Sequence, residues 1–85
     1  MANICKRIGK ILKNRKDVTF EDLDSILCYM GYTKRQPKGG SSHYTYSKAG
    51  CGHIITVPKK KPVKEVYVKK VINLLNLEEW YEEHC

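Results

Sequence analysis

The chain has no pair of cysteines at the two-residue gap of a zinc knuckle or a dithiol redox motif, and no Cys/His cluster at metal-ligand spacing. Cys5, Cys28, Cys51 and Cys85 are scattered instead, and no signal peptide precedes them, because charges interrupt the apolar positions of residues 1–16. The expectation is four free thiols in a reducing cytoplasm. None of them has neighbours that would activate it for catalysis. No apolar run approaches the roughly 20 residues that span a bilayer, so no membrane partner is expected. There is no internal repeat and no low-complexity segment. At 85 residues the chain is one small domain, too short for a multidomain enzyme. Such a domain buries only about 60 % of its unfolded surface, so its core is small.

Acidic residues are absent from two stretches. Residues 1–16 carry six bases and no acid; residues 17–31 carry Asp17, Glu21, Asp22 and Asp24 and no base. Residues 32–64 carry eight bases and no acid; residues 65–85 carry five acids and two bases. The blocks of +6, −4, +8 and −3 give the net charge of +7. The positive charge is concentrated in an N-terminal piece and in the middle of the chain, which points to a polyanionic partner.

Ile4, Ile8, Ile11 and Leu12 fall on one face of a short helix over residues 3–13, with bases on the other. Its apolar face is expected to pack beside the core and its basic face to be solvated. Thr19 with Asp22 three residues on resembles a capping box, and Phe20, Leu23, Ile26, Leu27 and Met30 repeat at helical spacing up to Gly31. Short strands are predicted over residues 32–36, 42–48 and 53–57, with Pro58 stopping the last. The Pro58–Pro62 segment, with Lys59, Lys60 and Lys61, reads as a loop. Helical spacing returns over residues 63–75, with Val63, Val66, Tyr67, Val71, Leu74 and Leu75 as the expected apolar face. Residues 77–85 read as a short acidic helix carrying Trp80 and Tyr81.

The order predicts an α+β fold: a three-stranded antiparallel sheet with helices on one face, in the α-β-β-β-α layout of double-stranded-RNA-binding domains, plus an N-terminal helix. The expected divisions are a basic extension over 1–16, a core domain over 17–76 and an acidic tail over 77–85.

In the central strand His43 shares a face with Thr45, and Tyr44 shares the other with Tyr46. The tyrosines are the better core residues, so His43 is expected on the open face. Glycines before that strand allow a ligand to approach the backbone closely. A histidine on a basic surface can take the proton from a ribose 2′-OH, and lysines can stabilise charge on the phosphate. Lys38, Lys48, Lys59, Lys60 and Lys61 are the candidate RNA-binding cations. No cofactor or metal is called for. His53 is a weaker candidate for a second acid or phosphate ligand, and His84, in the acidic tail, is expected to be uninvolved. Tyr44, Tyr46 and Tyr67 are expected in the core. Trp80 is expected to close the core or dock a partner.

Three segments resemble the HicA toxins of HicA–HicB toxin–antitoxin modules. They are Thr19-Phe20-Glu21-Asp22-Leu23 leading to Met30-Gly31-Tyr32; Gly40-Ser41-Ser42-His43-Tyr44; and Ile55-Thr56-Val57-Pro58 leading to Val66-Tyr67-Val68-Lys69-Lys70-Val71. The resemblance covers about residues 17–76. It implies a double-stranded-RNA-binding-like fold, metal-independent mRNA cleavage with His43 as catalytic base, and neutralisation by a HicB-like antitoxin. Gly40 and Ser42 match as neighbours of the histidine, with Ser41 as an extra residue. Two rival readings share the basic surface: a non-catalytic RNA-binding module of the same fold, and a protein-interaction domain for an acidic partner.

Overall fold

The computed structural model describes residues 4–36, 43–60 and 62–85. In chain order the elements are α1 (Ile4–Lys13), α2 (Phe20–Tyr29), β1 (Thr33–Arg35), β2 (His43–Ser47), β3 (Ile55–Pro58), α3 (Glu65–Leu75) and α4 (Leu77–His84). The three strands form one antiparallel sheet in the order β1-β2-β3. The fold is therefore α+β. Among the described residues no helix is long and apolar enough to cross a membrane.

Helix α2 has both ends written in its sequence. Thr19 Oγ1 accepts from the Asp22 backbone N–H, and the Asp22 carboxylate accepts from the Thr19 N–H, at 3.2 Å each. This reciprocal cap satisfies two donors that would otherwise be orphaned. At the other end Gly31 takes φ +92°, a conformation that favours glycine. The Gly31 and Tyr32 N–H groups donate to the Cys28 and Leu27 carbonyls, which completes a Schellman stop.

One apolar cluster joins all layers. Leu23, Ile26 and Leu27 of α2, Tyr46 of β2, and Ile55 and Val57 of β3 are buried with Val68, Val71 and Ile72 of α3. Ile8 and Ile11 of α1 and Leu77 of α4 belong to the same cluster. The Ile face of α1 is thus a full member of the core.

Three expectations need correction. The buried face of α3 is Val68, Val71 and Ile72, while Val66 is 67 % and Leu74 38 % exposed. Val63 precedes the helix and is anchored instead by its N–H to the Val18 carbonyl at 2.7 Å, so it does not set the helix phase. Strand β3 begins at Ile55 rather than at residue 53, and Pro58 is its last residue rather than the stop before it.

The third correction concerns the thiols. Cys5 and Cys85 are joined in a disulfide across 80 residues, and Cys28 and Cys51 are the free cysteines. Asn76, left-handed at φ 50°, ends α3 and turns the chain into α4. Helix α4 then packs on α1, which brings Cys85 to Cys5. Cysteine spacing cannot show that meeting.

Candidate nucleic-acid interface

Strand β2 puts different chemistry on its two sides. Tyr46 is fully buried against the helices, and Tyr44 packs on Phe20 with ring centroids 5.1 Å apart. The Tyr46 hydroxyl donates to Asp24 Oδ1 at 2.7 Å, and Lys34 Nζ lies 3.2 Å from the same oxygen. Burial, reinforced by that bond to a carboxylate, pushes the Tyr46 hydroxyl far above its ordinary pKa.

The opposite side carries His43, Thr45 and Ser47. His43 and Ser47 are exposed and Thr45 is half-buried. Residues directly opposite across an antiparallel ladder point to the same face. Thr45 pairs with Arg35 on β1 and Thr56 on β3, and Ser47 pairs with Thr33. The open face therefore carries Thr33, Arg35, His43, Thr45, Ser47 and Thr56, with Pro58, directly opposite His43, buried on the same face. The Thr45 hydroxyl donates to the Arg35 carbonyl at 3.3 Å and ties this edge to the central strand. Arg35 is the diagonal cross-strand neighbour of His43, roughly 7–8 Å away between Cα atoms and within reach of a long side chain. Sequence reasoning did not select Arg35. Pairing β1 with β2 through their common alternation would have found it.

The cations expected around His43 divide. Lys59 follows Pro58, the register partner of His43, so it lies at the same end of the sheet. Its side chain reaches round the rim to the helix side, with Nζ 6.0 Å from the Tyr44 ring centroid; Lys34 Nζ lies 5.8 Å from that centroid. Lys59 and Lys60 line a small cleft of about 190 Å³ with Phe20 and Glu21. Lys48 is not brought near His43. It follows the far end of β2, with Nζ over the Tyr32 ring at 5.8 Å, and five strand residues span roughly 16 Å. Lys38, Gly40, Ser42 and Lys61 lie outside the described residues.

His53 belongs to that far end too. It precedes β3, and its Nε2 lies 3.1 Å from the Tyr32 hydroxyl. The β2–β3 register carries it to the level of Lys48, one sheet length from His43. It cannot share a phosphate with His43. His84 stacks on Trp80 at 4.4 Å in α4, and Trp80 packs edge-on against Tyr29 at 6.0 Å.

The N-terminal basic block is largely used within the fold. Arg7 Nη1 and Lys10 Nζ clamp the two carboxylate oxygens of Asp22 at 2.8 and 3.2 Å, and Arg15 pairs with Glu78 at 2.8 Å. Asp22 is only 4 % exposed. Burial pushes its carboxyl up, but the Thr19 N–H and Lys10 outweigh that and hold it below its ordinary value. No protein-family model matches the chain, and neither a curated protein nor a solved structure is similar to it.

Proposed function

We propose that this protein is a metal-independent RNA-cleaving toxin, an mRNA interferase of the HicA type on a double-stranded-RNA-binding-like fold. The observation that carries the reading is the position of His43. It is exposed on the open face of the central strand, at the end of the sheet shared with Arg35 and Lys59. His43 takes the proton of a ribose 2′-OH. The 2′-oxygen attacks the adjacent phosphorus and the bond to the 5′-oxygen breaks. The products are a 2′,3′-cyclic phosphate and a 5′-hydroxyl, whose oxygen takes its proton from water while His43 later returns its own to solvent. Arg35 faces the same surface and holds the phosphate oxygens as charge grows on them. Lys59 and Lys60 guide the backbone round the rim. Lys38, Gly40, Ser42 and Lys61 complete the proposed RNA contacts.

The setting proposed is the cytoplasm, with mRNA as substrate and a HicB-like antitoxin covering His43 and the basic face. Such an interface buries roughly 800 Å² per partner. Disulfides are rare in a reducing cytoplasm, and the Cys5–Cys85 bond is the observation that counts against this setting.

The test is the chemistry of the ends. Purified protein in EDTA should cut single-stranded RNA and leave 2′,3′-cyclic phosphate and 5′-hydroxyl termini. Fragments with 5′-phosphates, or cutting that needs a divalent ion, would contradict the mechanism. Salt-sensitive binding without any cutting would move the reading to an RNA-binding module.

A further inference from the structure

One cleft on the helix side of the sheet holds opposite charges that do not pair. It has a volume of about 190 Å³ and is lined by Phe20, Glu21, Lys59 and Lys60. Phe20 opens α2 on its buried side, 7 % exposed, with the Tyr44 ring packed on it at 5.1 Å. Glu21 is the next residue, about 100° round the helix, so its carboxylate stands where the core face meets solvent. The lysines come from the loop after β3. The Lys60 N–H donates to the Pro58 carbonyl at 3.0 Å, which turns the chain at the end of the strand.

Two ammonium groups and a carboxylate on one small cleft would ordinarily close into ion pairs. Among the described residues Glu21 pairs with no cation. Lys59 Nζ lies over the Tyr44 ring instead, 6.0 Å from its centroid. The neighbouring carboxylates are committed elsewhere: Asp22 to Arg7 and Lys10, and Asp24 to Lys34 and the Tyr46 hydroxyl. The described lining therefore carries two positive charges and one negative, with room for a group between them.

Such a lining suits a ligand with an anion at one end and paired N–H donors at the other. A nucleotide of RNA has both. The volume is below the roughly 300 Å³ of a drug-sized pocket, so it takes a single base. Of the four bases only guanine offers two adjacent donors, N1–H and the 2-amino group, to the two oxygens of a carboxylate. Adenine and cytosine set an acceptor nitrogen beside their amino group, and uracil flanks its N3–H with two carbonyls; each would turn an acceptor toward Glu21. The position also fits. Lys59 follows Pro58, the register partner of His43, and Tyr44 follows His43, so the cleft lies round the rim from the histidine.

We propose that the cleft of Phe20, Glu21, Lys59 and Lys60 is a guanine subsite. Glu21 accepts from N1–H and the 2-amino group, the base rests its edge on Phe20, and the lysines hold the flanking phosphate. The inference rests on the reading of RNA as the ligand of the His43 face, and makes Glu21 the residue that selects which nucleotide lies beside the histidine.

The test is fluorescence anisotropy in a His43→Ala background, so that no turnover intervenes. The probes are two labelled 12-residue oligouridines, one with a single central guanosine and one with inosine there, which lacks only the 2-amino group. The guanosine probe should bind about tenfold more tightly. Glu21→Ala should bring that ratio to about one without weakening the inosine probe, since losing a negative charge favours RNA. Glu79→Gln, which removes the same charge from exposed α4 surface, should keep the ratio. Equal affinity for the two probes before Glu21 is changed would overturn the proposal. So would a guanosine preference that survives Glu21→Ala or vanishes with Glu79→Gln. No binding of either probe would overturn it together with the RNA reading. Cutting in EDTA by the unmutated protein with no preference between the probes in binding would remove the subsite and keep the His43 mechanism. A guanosine preference in binding without any cutting would do the reverse.

Discussion

The two faces of the sheet are made from the same three strands, yet they differ in almost every physical respect. On the helix side Tyr46, Ile55 and Val57 are buried, and the Asp24 carboxylate takes both the Tyr46 hydroxyl and the Lys34 ammonium. On the open side Thr33, Arg35, His43 and Ser47 face solvent. Strand alternation places a fully buried tyrosine three residues from an exposed histidine. One face specifies the fold; the other is the one on which the proposed chemistry is placed. Basic residues follow the same division. Arg7, Lys10, Arg15 and Lys34 stabilise the structure through Asp22, Glu78 and Asp24, whereas Arg35 belongs to the open face.

If that division is right, changes on the helix side should cost stability and spare RNA, and changes on the open face should do the reverse. The largest effect should come from the covalent tie. Closing an 80-residue loop is worth roughly 4 kcal/mol in the chain-entropy account. Cys5→Ser, or reduction by a dithiol, should lower urea-unfolding stability by up to that amount. Cleavage per folded molecule should hold. A drop in cleavage out of proportion to stability would break the division.

Tyr46→Phe comes next. It removes a hydrogen bond to a carboxylate, worth about 1.5–3 kcal/mol, and should lower the melting temperature without changing RNA affinity. The open-face counterpart is Arg35→Ala. It should weaken RNA binding several-fold and flatten the salt dependence by ~0.7 while leaving the melt within about 0.5 kcal/mol. Lys48→Ala, at the far end of the sheet, should change neither quantity much. Equal effects from Arg35 and Lys48 would mean that the basic surface acts as a whole.

The smallest effect is acid sensitivity. The Asp22 carboxyl titrates below its ordinary value in the folded state. Its contribution is therefore fully present above the unfolded carboxylate range near 4 and is lost as pH falls through the lower folded value. Asp22→Asn should flatten the acid limb of a stability-versus-pH curve. An unchanged limb would remove Asp22 from the account.

Much of this was legible locally. The Thr19–Asp22 cap, the Gly31 stop and the Tyr44/Tyr46 alternation are rules that act over two to five residues, and each appears where the sequence places it. Features that depend on distant parts of the chain were not. Arg7 and Lys10 look like a solvated helix face until α2 is packed beside them. Cys5 and Cys85 look like unrelated thiols until α4 folds back onto α1. His53 looks like a strand residue near the site until the register carries it to the opposite end. In α3 the apolar residues outnumber the positions one face can bury, so spacing alone could not choose Val68 over Val66.

The central claim is that His43 supplies the chemistry while the helix side supplies the fold. Its most direct measurement is single-turnover cleavage of RNA in EDTA by the parent and by His43→Ala, with a thermal melt of each. The predicted result is a rate lower by about 10²–10⁴ with an unchanged melt. Cleavage by a folded His43→Ala protein at the parental rate would contradict it.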